Sequence, residues 1–459
     1  ASYLPSYSNT SITPENSNKK PDEIQKNYKP LLPTVRNMTI PAQGISLLSI
    51  GRGILGIMAL LLIAYLLSTD RKNIPWRTVA TGLALQLILA FGILYVPFIQ
   101  NSFEWAGRAF VKIMDFTRAG SAFLFGSLLD SKHIGYIFVF QVLPTIIFFS
   151  ALTSLLYYLH IIQKIVQLFA WCLKGIFRIS GAEGLTVAGN IFLGQCEAPL
   201  LAKEYLPRMN RSEIFLVMTA GMATIAGAVM TAYIGMLGGD DPQARVTFAR
   251  YLLSASVMAA PAAIVFAKII VPQNEKTDNT IKVNTIDSGD NLLDAISKGT
   301  VQGVKLAVTV AALLLTFIAM IALLNYLLGG LIGRYTGLNQ WLSTLYGRPM
   351  QFDFQTLVGW IFTPLAWLMG VCKEDMAAVG SLLGTKMVLN EFVAYADFNT
   401  LKNAGALIQE KSIIITTFAL CGFANISSIG MQIGGIGVLA PGQRKMLTRY
   451  GPLAMISGM

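Results

Sequence analysis

The feature that most limits what this chain can become is a series of apolar runs, each about 17 to 28 residues long, separated by short polar segments. A helix of that length covers the roughly 30 Å hydrocarbon core of a bilayer. Of the 459 residues, 54% are hydrophobic and 13% charged, whereas soluble domains carry about a quarter charged residues. A soluble chain would alternate its apolar residues around one face of each element instead of gathering them in runs. The expected fold class is therefore an all-α integral membrane protein that crosses a membrane several times, with the lipid bilayer as its first partner.

Charge and reactive residues narrow the function. A net charge of +11 raises the question of nucleic acid. The Lys and Arg residues, however, lie in short segments between apolar runs and form no basic domain, as membrane topology requires; no nucleic-acid partner is expected. Cys172, Cys196, Cys372 and Cys421 form no CxxC pair, and His133 and His160 are the only histidines, which excludes the usual zinc constellations. No GxxxxGK[ST], HExxH or GxSxG motif occurs. The chemistry expected is binding and movement, not bond-making, so the chain is not read as an enzyme.

Along the chain, residues 1–44 are polar and rich in Pro, Asn, Ser and Lys, a composition that predicts a disordered tail; the start at Ala1 leaves a further upstream segment open. Apolar spans are predicted over 46–68, 78–98, 136–160 (broken by Pro144), 213–237, 250–271, 303–328, 354–371 and 412–440. The stretch 101–130 mixes Glu104, Arg108, Lys112 and Asp115 with aromatics and predicts a helix lying in the membrane interface. If 69–77, 161–211, 268–305 and 441–449 are cytoplasmic, they hold about 17 of the 35 basic residues, a moderate bias that places the tail outside. The domain reading is a tail (1–44), scaffold helices with an interfacial helix (45–180), a first re-entrant hairpin with its partner helix (181–240), further scaffold helices and loops (241–370), a second hairpin with its partner helix (371–440), and the start of a last helix that looks truncated (441–459).

Two segments are too polar to face lipid. Residues 182–206 hold Asn190, Gln195 and Glu197 near their middle, and 376–396 hold Lys386, Asn390 and Glu391. Each precedes a span with a polar interruption, at Thr224 in the first half and at Asn425, Ser427 and Ser428 in the second. With the topology above, the first segment enters from the cytoplasm and the second from outside, an inverted repeat of two re-entrant helical hairpins with broken transmembrane helices. Backbone that leaves helical geometry inside a membrane must line a cavity or be buried in protein, and half-helix ends there attract dipoles and ions. A single Glu in such a place serves equally well as a bond to the backbone ends of its own hairpin. Glu197 and Glu391 at corresponding positions favour one shared polar site.

The residues of these segments carry a resemblance. G-N-I-F-L-G-Q-C-E-A-P (189–199), T-A-G-M-A-T-I-A-G-A-V-M-T-A-Y (219–233), N-E-F-V-A-Y (390–395) and F-A-L-C-G-F-A-N-I-S-S (418–428) resemble, in order and spacing, the hairpin and helix signatures of the concentrative nucleoside transporter family of bacterial type. The similarity covers most of residues 46–459. It implies a secondary active transporter that imports nucleosides by symport with a cation, sodium above protons, through alternating access, as a homotrimer. By the same resemblance Gln195, Cys196 and Glu197 face the nucleobase, Val229 and Phe423 wall its ring, and Glu391, Asn425 and Ser428 hold the ribose hydroxyls. The sodium ion would be held by the Asn190 side chain, the Thr224 hydroxyl and the carbonyls of Leu193 and Ile225.

Three departures qualify the match. Cys196 stands where a hydroxyl residue is common, which leaves purine against pyrimidine preference open. V-C-K-E (371–374) replaces a more usual V-P-W. The family ordinarily continues with one more full span. The alternatives are a proton-coupled symporter using Glu197 or Glu391, and a passive nucleoside channel, which would need polar residues strung along a path instead of gathered at two hairpin centres.

Overall fold

Inside hydrocarbon no water satisfies backbone N–H and C=O groups, so an apolar run must close its own hydrogen bonds. The computed structural model describes residues 46–129, 137–239, 241–275, 277, 289–346 and 351–459; the tail expected over 1–44 lies outside them. The described residues form helices and no β-strand. In chain order these are α1 (Leu47–Leu66), α2 (Trp76–Tyr95), α3 (Pro97–Phe125), α4 (Leu143–Tyr158), α5 (Ile161–Phe177), α6 (Gly181–Asn190), α7 (Arg211–Ala223), α8 (Gly227–Gly238), α9 (Pro242–Ile270), α10 (Leu292–Asn325), α11 (Leu338–Tyr346), α12 (Phe354–Leu368), α13 (Met376–Val388), α14 (Glu391–Asn403), α15 (Glu410–Leu420), α16 (Ile426–Leu439) and α17 (Arg444–Gly458). Among the described residues six helical stretches are long and apolar enough to cross a membrane.

These stretches divide by what surrounds them. Large apolar side chains of α1 (Ile54, Leu55, Met58, Leu62) and of α10 (Leu315, Ile318, Met320, Leu323) are exposed, as expected of helices that meet lipid tails or another copy. The α7–α8 stretch is almost wholly enclosed by the rest of the chain. The second broken helix is more open, with Ile426, Met431 and Val438 of α16 exposed, but the breaks themselves are buried, at Thr224 and Ile225 in the first and at 421–425 in the second, where interrupted backbone is tolerated.

The peripheral helices α4 and α10 pack closely because glycine permits it. A Cβ on Gly303 would lie 2.8 Å from the Ile147 Cα, and one on Gly299 would lie 2.8 Å from the Ala151 Cα. Spaced four apart, these two glycines form the small-residue face that lets membrane helices approach.

Both halves repeat one plan. In the first, α6, a non-helical turn and a second arm form the hairpin, and α7 and α8 form one helix interrupted at Thr224–Ala226. In the second, α13 and α14 meet at Leu389–Asn390, and α15 and α16 are interrupted over Cys421–Asn425. The second arm of the first hairpin is two 3₁₀ turns, Ala198–Ala202 and Leu206–Arg208; Pro207, lacking an N–H, cannot continue the first turn as a helix. The break near Pro144 falls just upstream, at Val142, with Pro144 in the first turn of α4, where a missing N–H costs nothing.

Parts of three segments read as cytoplasmic, 69–77, 161–211 and 268–305, meet around one cavity. This polar cavity of about 200 Å³ is lined by Asp70, Asn210, Arg211, Asn274, Glu275 and Tyr450 among others. Asn274 donates to the Asp70 carboxylate at 2.9 Å, as Asn73 does at 2.7 Å, and these bonds hold the exposed Asp70 carboxyl below its ordinary pKa.

Candidate functional site

The chain interrupts its helices where side chains replace the lost backbone bonds. Ser180 and Glu183 close a capping box at the start of α6, and Asn210 and Glu213 do so for α7, satisfying donors a helix start leaves free. Asn390 accepts from the Val393 N–H at 2.9 Å to start α14. Asn425 accepts from the Ser428 N–H at 2.9 Å to start α16 and from the Ser427 hydroxyl at 2.7 Å. The Asn425 oxygen is therefore fixed by its capping duty, which aims its amide N–H₂ in one direction.

That direction is Glu391. Asn425 Nδ2 donates to Glu391 Oε2 at 2.7 Å, and the Tyr233 hydroxyl donates to Oε1 at 3.2 Å. Glu391 is 4% exposed and is the first residue of α14, where the positive end of the helix favours a carboxylate. Tyr233 is held by stacking on Tyr395 at 4.2 Å and by an edge contact with Phe392 at 4.9 Å; the Tyr395 hydroxyl donates to the Thr417 carbonyl.

The four broken elements close on one another. The Gly227 N–H donates to the Phe192 carbonyl at 3.1 Å, joining the first hairpin to the α7–α8 break. The Phe423 N–H donates to the Thr224 carbonyl at 3.3 Å, joining the two breaks. Gln195 Nε2 donates to the Ser428 hydroxyl at 3.1 Å, joining the first hairpin to α16. The Asn425 bond joins that break to the second hairpin. At the crossing the backbones nearly touch: a Cβ on Gly422 would sit 2.9 Å from the Ala223 carbonyl oxygen and 3.1 Å from that of Met222. Only glycine fits there without movement.

The residues expected to touch substrate fall on this ring or beside it. Gln195, Glu391, Asn425 and Ser428 are linked as above, and Val229 and Phe423 are buried in one apolar cluster. Cys196 lies against α16, its Sγ donating to the Met431 carbonyl at 3.6 Å. Glu197 is at the same hairpin turn, but its carboxylate accepts from its own Gly194 N–H at 3.3 Å and from Gln302 Nε2 of α10 at 3.4 Å. It is not hydrogen-bonded into the Glu391 network. The side-chain oxygen of Gln195 is buried with no partner among the described residues.

The expected cation ligands form a second group. Asn190 is 0% exposed; its Nδ2 donates to the Thr186 carbonyl at 2.9 Å, while its Oδ1 has no partner among the described residues. The Thr224 hydroxyl bonds back to the Ala220 carbonyl at 2.9 Å, leaving its oxygen lone pairs unused. Among the described residues no N–H donates to the carbonyls of Leu193 or Ile225. A buried oxygen without a donor costs about 1–3 kcal/mol, so a set of such oxygens suits a hard monovalent cation.

Tyr233 and Tyr395 end two of the quoted signatures, yet no role was read for them; an aromatic in an apolar run gives no sign that its hydroxyl serves a carboxylate. Gln302 was equally illegible, lying on α10 more than 100 residues from its partner Glu197.

Known proteins match this arrangement. Residues 55–128 match the model described as the Na+ dependent nucleoside transporter N-terminus, 139–240 one described as nucleoside recognition, and 251–459 the Na+ dependent nucleoside transporter C-terminus. An uncharacterized transporter of Haemophilus influenzae is 41% identical over 90% of this chain and 95% of its own length. Sodium/nucleoside cotransporter 1 of Rattus norvegicus is 38% identical over 88% of this chain and 61% of its own length. The solved structure of CNTnw in an inward-facing substrate-bound state superposes with a TM-score of 0.80 at 38% identity, covering 89% of this chain and 95% of that one. An outward-facing state of a substituted CNTnw gives 0.81 at 36% identity, covering 90% and 95%. With both helix breaks buried in protein and these likenesses spanning nearly all the described residues, the chain is a multi-pass membrane protein that belongs to the concentrative nucleoside transporter family.

Proposed function

We propose that this chain imports nucleosides across the cell inner membrane by symport with sodium, through alternating access. The observation that carries the reading is the hydrogen-bonded ring joining both hairpins and both helix breaks, with acceptors left over where a sugar, a base and an ion would each need them. A carboxylate has about four lone-pair sites; Glu391 uses two, on Tyr233 and Asn425, which leaves two for ribose hydroxyls beside Asn425 and Ser428. The unpartnered Gln195 oxygen meets a base N–H, with Cys196 and Glu197 at the same turn and Val229 and Phe423 against the ring faces. Sodium is held by Asn190, Thr224 and the carbonyls of Leu193 and Ile225, supported by the donor-free Asn190 oxygen.

The ring is also the reason ion and substrate would travel together. The Thr224 carbonyl and the Phe423 N–H are bonded, so a cation drawn to the first break stiffens the backbone that presents Phe423 and Asn425 to the nucleoside. Hairpins and broken helices form the moving unit in this reading, against a scaffold built on α4 and α10, and the exposed apolar face of α10 suits contacts between copies in a homotrimer.

The test is uptake of radiolabelled uridine and adenosine into proteoliposomes holding the purified protein. Accumulation above equilibrium with an inward sodium gradient, lost when choline replaces sodium, is the expected result. Uptake driven by a proton gradient and indifferent to sodium would assign the coupling to protons and to Glu197 or Glu391. Equilibration without accumulation would make the chain a passive channel.

A further inference from the structure

Among the described residues two lysines are buried, and they differ in their partners. Lys268 of α9 forms an ion pair with Glu183 of the α6 capping box and bonds to the Ser212 hydroxyl. Lys386 of α13 is 2% exposed, and among the described residues no carboxylate lies within ion-pair distance of it. Its ammonium donates to the Ala419 carbonyl at 2.9 Å. The Glu391 carboxylate attracts it from beyond ion-pair distance, so its one direct partner is a neutral carbonyl; a buried charge so placed is costly, and its retention in a membrane segment points to a function.

The place of Lys386 in the repeat supplies one. Asn190 is the last residue of α6, and α6 packs on α7, the first half of the broken helix that follows. Lys386 is in the last turn of α13, and α13 packs on α15, the corresponding half-helix of the second repeat. Thr224 and Ile225 follow the C-terminal end of α7; Ala419 is at the C-terminal end of α15. Both half-helices end inside protein with carbonyls unspent, and the negative end of a helix attracts a cation there. We infer that Lys386 is a tethered cation occupying, in the second repeat, the place that the free cation takes in the first. The inverted repeat therefore offers two equivalent half-helix ends but needs one ion from solution. This rests on the sodium-symport reading above.

The consequence is a fixed stoichiometry of one sodium per nucleoside. It also means that Lys386 acts on coupling as well as on folding. The experiment measures the sodium dependence of uridine uptake in proteoliposomes for the wild type, Lys386→Ala and Lys386→Arg. The wild type should give a Hill coefficient of about one and carry one net charge inward per uridine. Lys386→Ala should lose uptake at sodium levels that saturate the wild type and recover it with methylammonium, or at high sodium with a slope approaching about two. Lys386→Arg, which keeps the charge, should retain a unit slope. Two charges per uridine in the wild type would overturn the inference, and so would Lys386→Ala with an unchanged sodium midpoint and slope. A monodisperse Lys386→Ala protein that binds uridine but is rescued by no cation would overturn it as well. If Lys386→Ala does not fold, the wild-type charge measurement alone decides. Wild-type uptake that ignores sodium would instead sink the function proposed above.

Discussion

Replacing Glu391 with Gln changes one atom and removes one charge at the centre of the proposed site. The carboxylate now accepts from Asn425 at 2.7 Å and Tyr233 at 3.2 Å. An amide offers one oxygen with two lone pairs; Asn425 takes one, and the new N–H₂ faces the Tyr233 hydroxyl or the substrate. At least one ribose bond is lost, and those that remain fall from charge-assisted strength, about 1.5–3 kcal/mol, to about 0.5–1.5 kcal/mol. The expected loss is about 2–4 kcal/mol, or roughly 30- to 1000-fold in nucleoside affinity at 1.4 kcal/mol per decade. Titration calorimetry of uridine at saturating sodium reads this directly. Tyr233→Phe is the control: it keeps the charge and removes one neutral donor, for a loss of about 1 kcal/mol or fivefold. Glu391→Gln binding within about threefold of wild type would refute the assignment of ribose to this carboxylate.

Other substitutions probe the surrounding framework. Asn190→Ala removes the donor-free oxygen and should raise the sodium concentration for half-maximal uptake about tenfold, a cost of about 1.4 kcal/mol, with uridine affinity at saturating sodium unchanged; an unmoved sodium midpoint would take Asn190 out of the ion site. Gly422→Ala drives a methyl against the Ala223 and Met222 carbonyls and should cost about 1–3 kcal/mol, read as a lower Tm in detergent, whereas an unchanged Tm would mean the crossing has slack. Lys268→Met leaves Glu183 buried and unpaired and should cost about 3–5 kcal/mol, while the double variant with Glu183→Leu recovers most of it; equal Tm values for single and double variants would contradict the pairing. Gln302→Ala frees the Glu197 carboxylate from α10 and should change the maximal uptake rate more than the half-saturating uridine concentration, since it joins the hairpin to the proposed scaffold.

Much of this organisation was legible in the residues because hydrocarbon imposes strict rules. The apolar runs at 46–68 and 303–328 became α1 and the core of α10, and the polar-centred segments became broken hairpins, since polar groups at that depth have few permitted uses. The interruptions at Thr224 and Asn425 were visible for the same reason. What resisted reading was contact across long separations. Gly422 looks like any small residue until the Ala223 carbonyl is placed against it. Lys386 reads as one more polar residue of its hairpin until its lone carbonyl partner is known. The N-terminal extension of α10 to Leu292 and of α9 to Pro242 was missed because polar turns that continue a transmembrane helix carry no hydropathy signal.

The most direct test of the whole account is a density map of the protein with sodium and an iodinated nucleoside. The iodine should mark a base beside Gln195, with the sugar against Glu391 and Asn425, inside the ring formed by both hairpins. Halogen density on the far side of the crossing of the two breaks, or anywhere outside that ring, would contradict it.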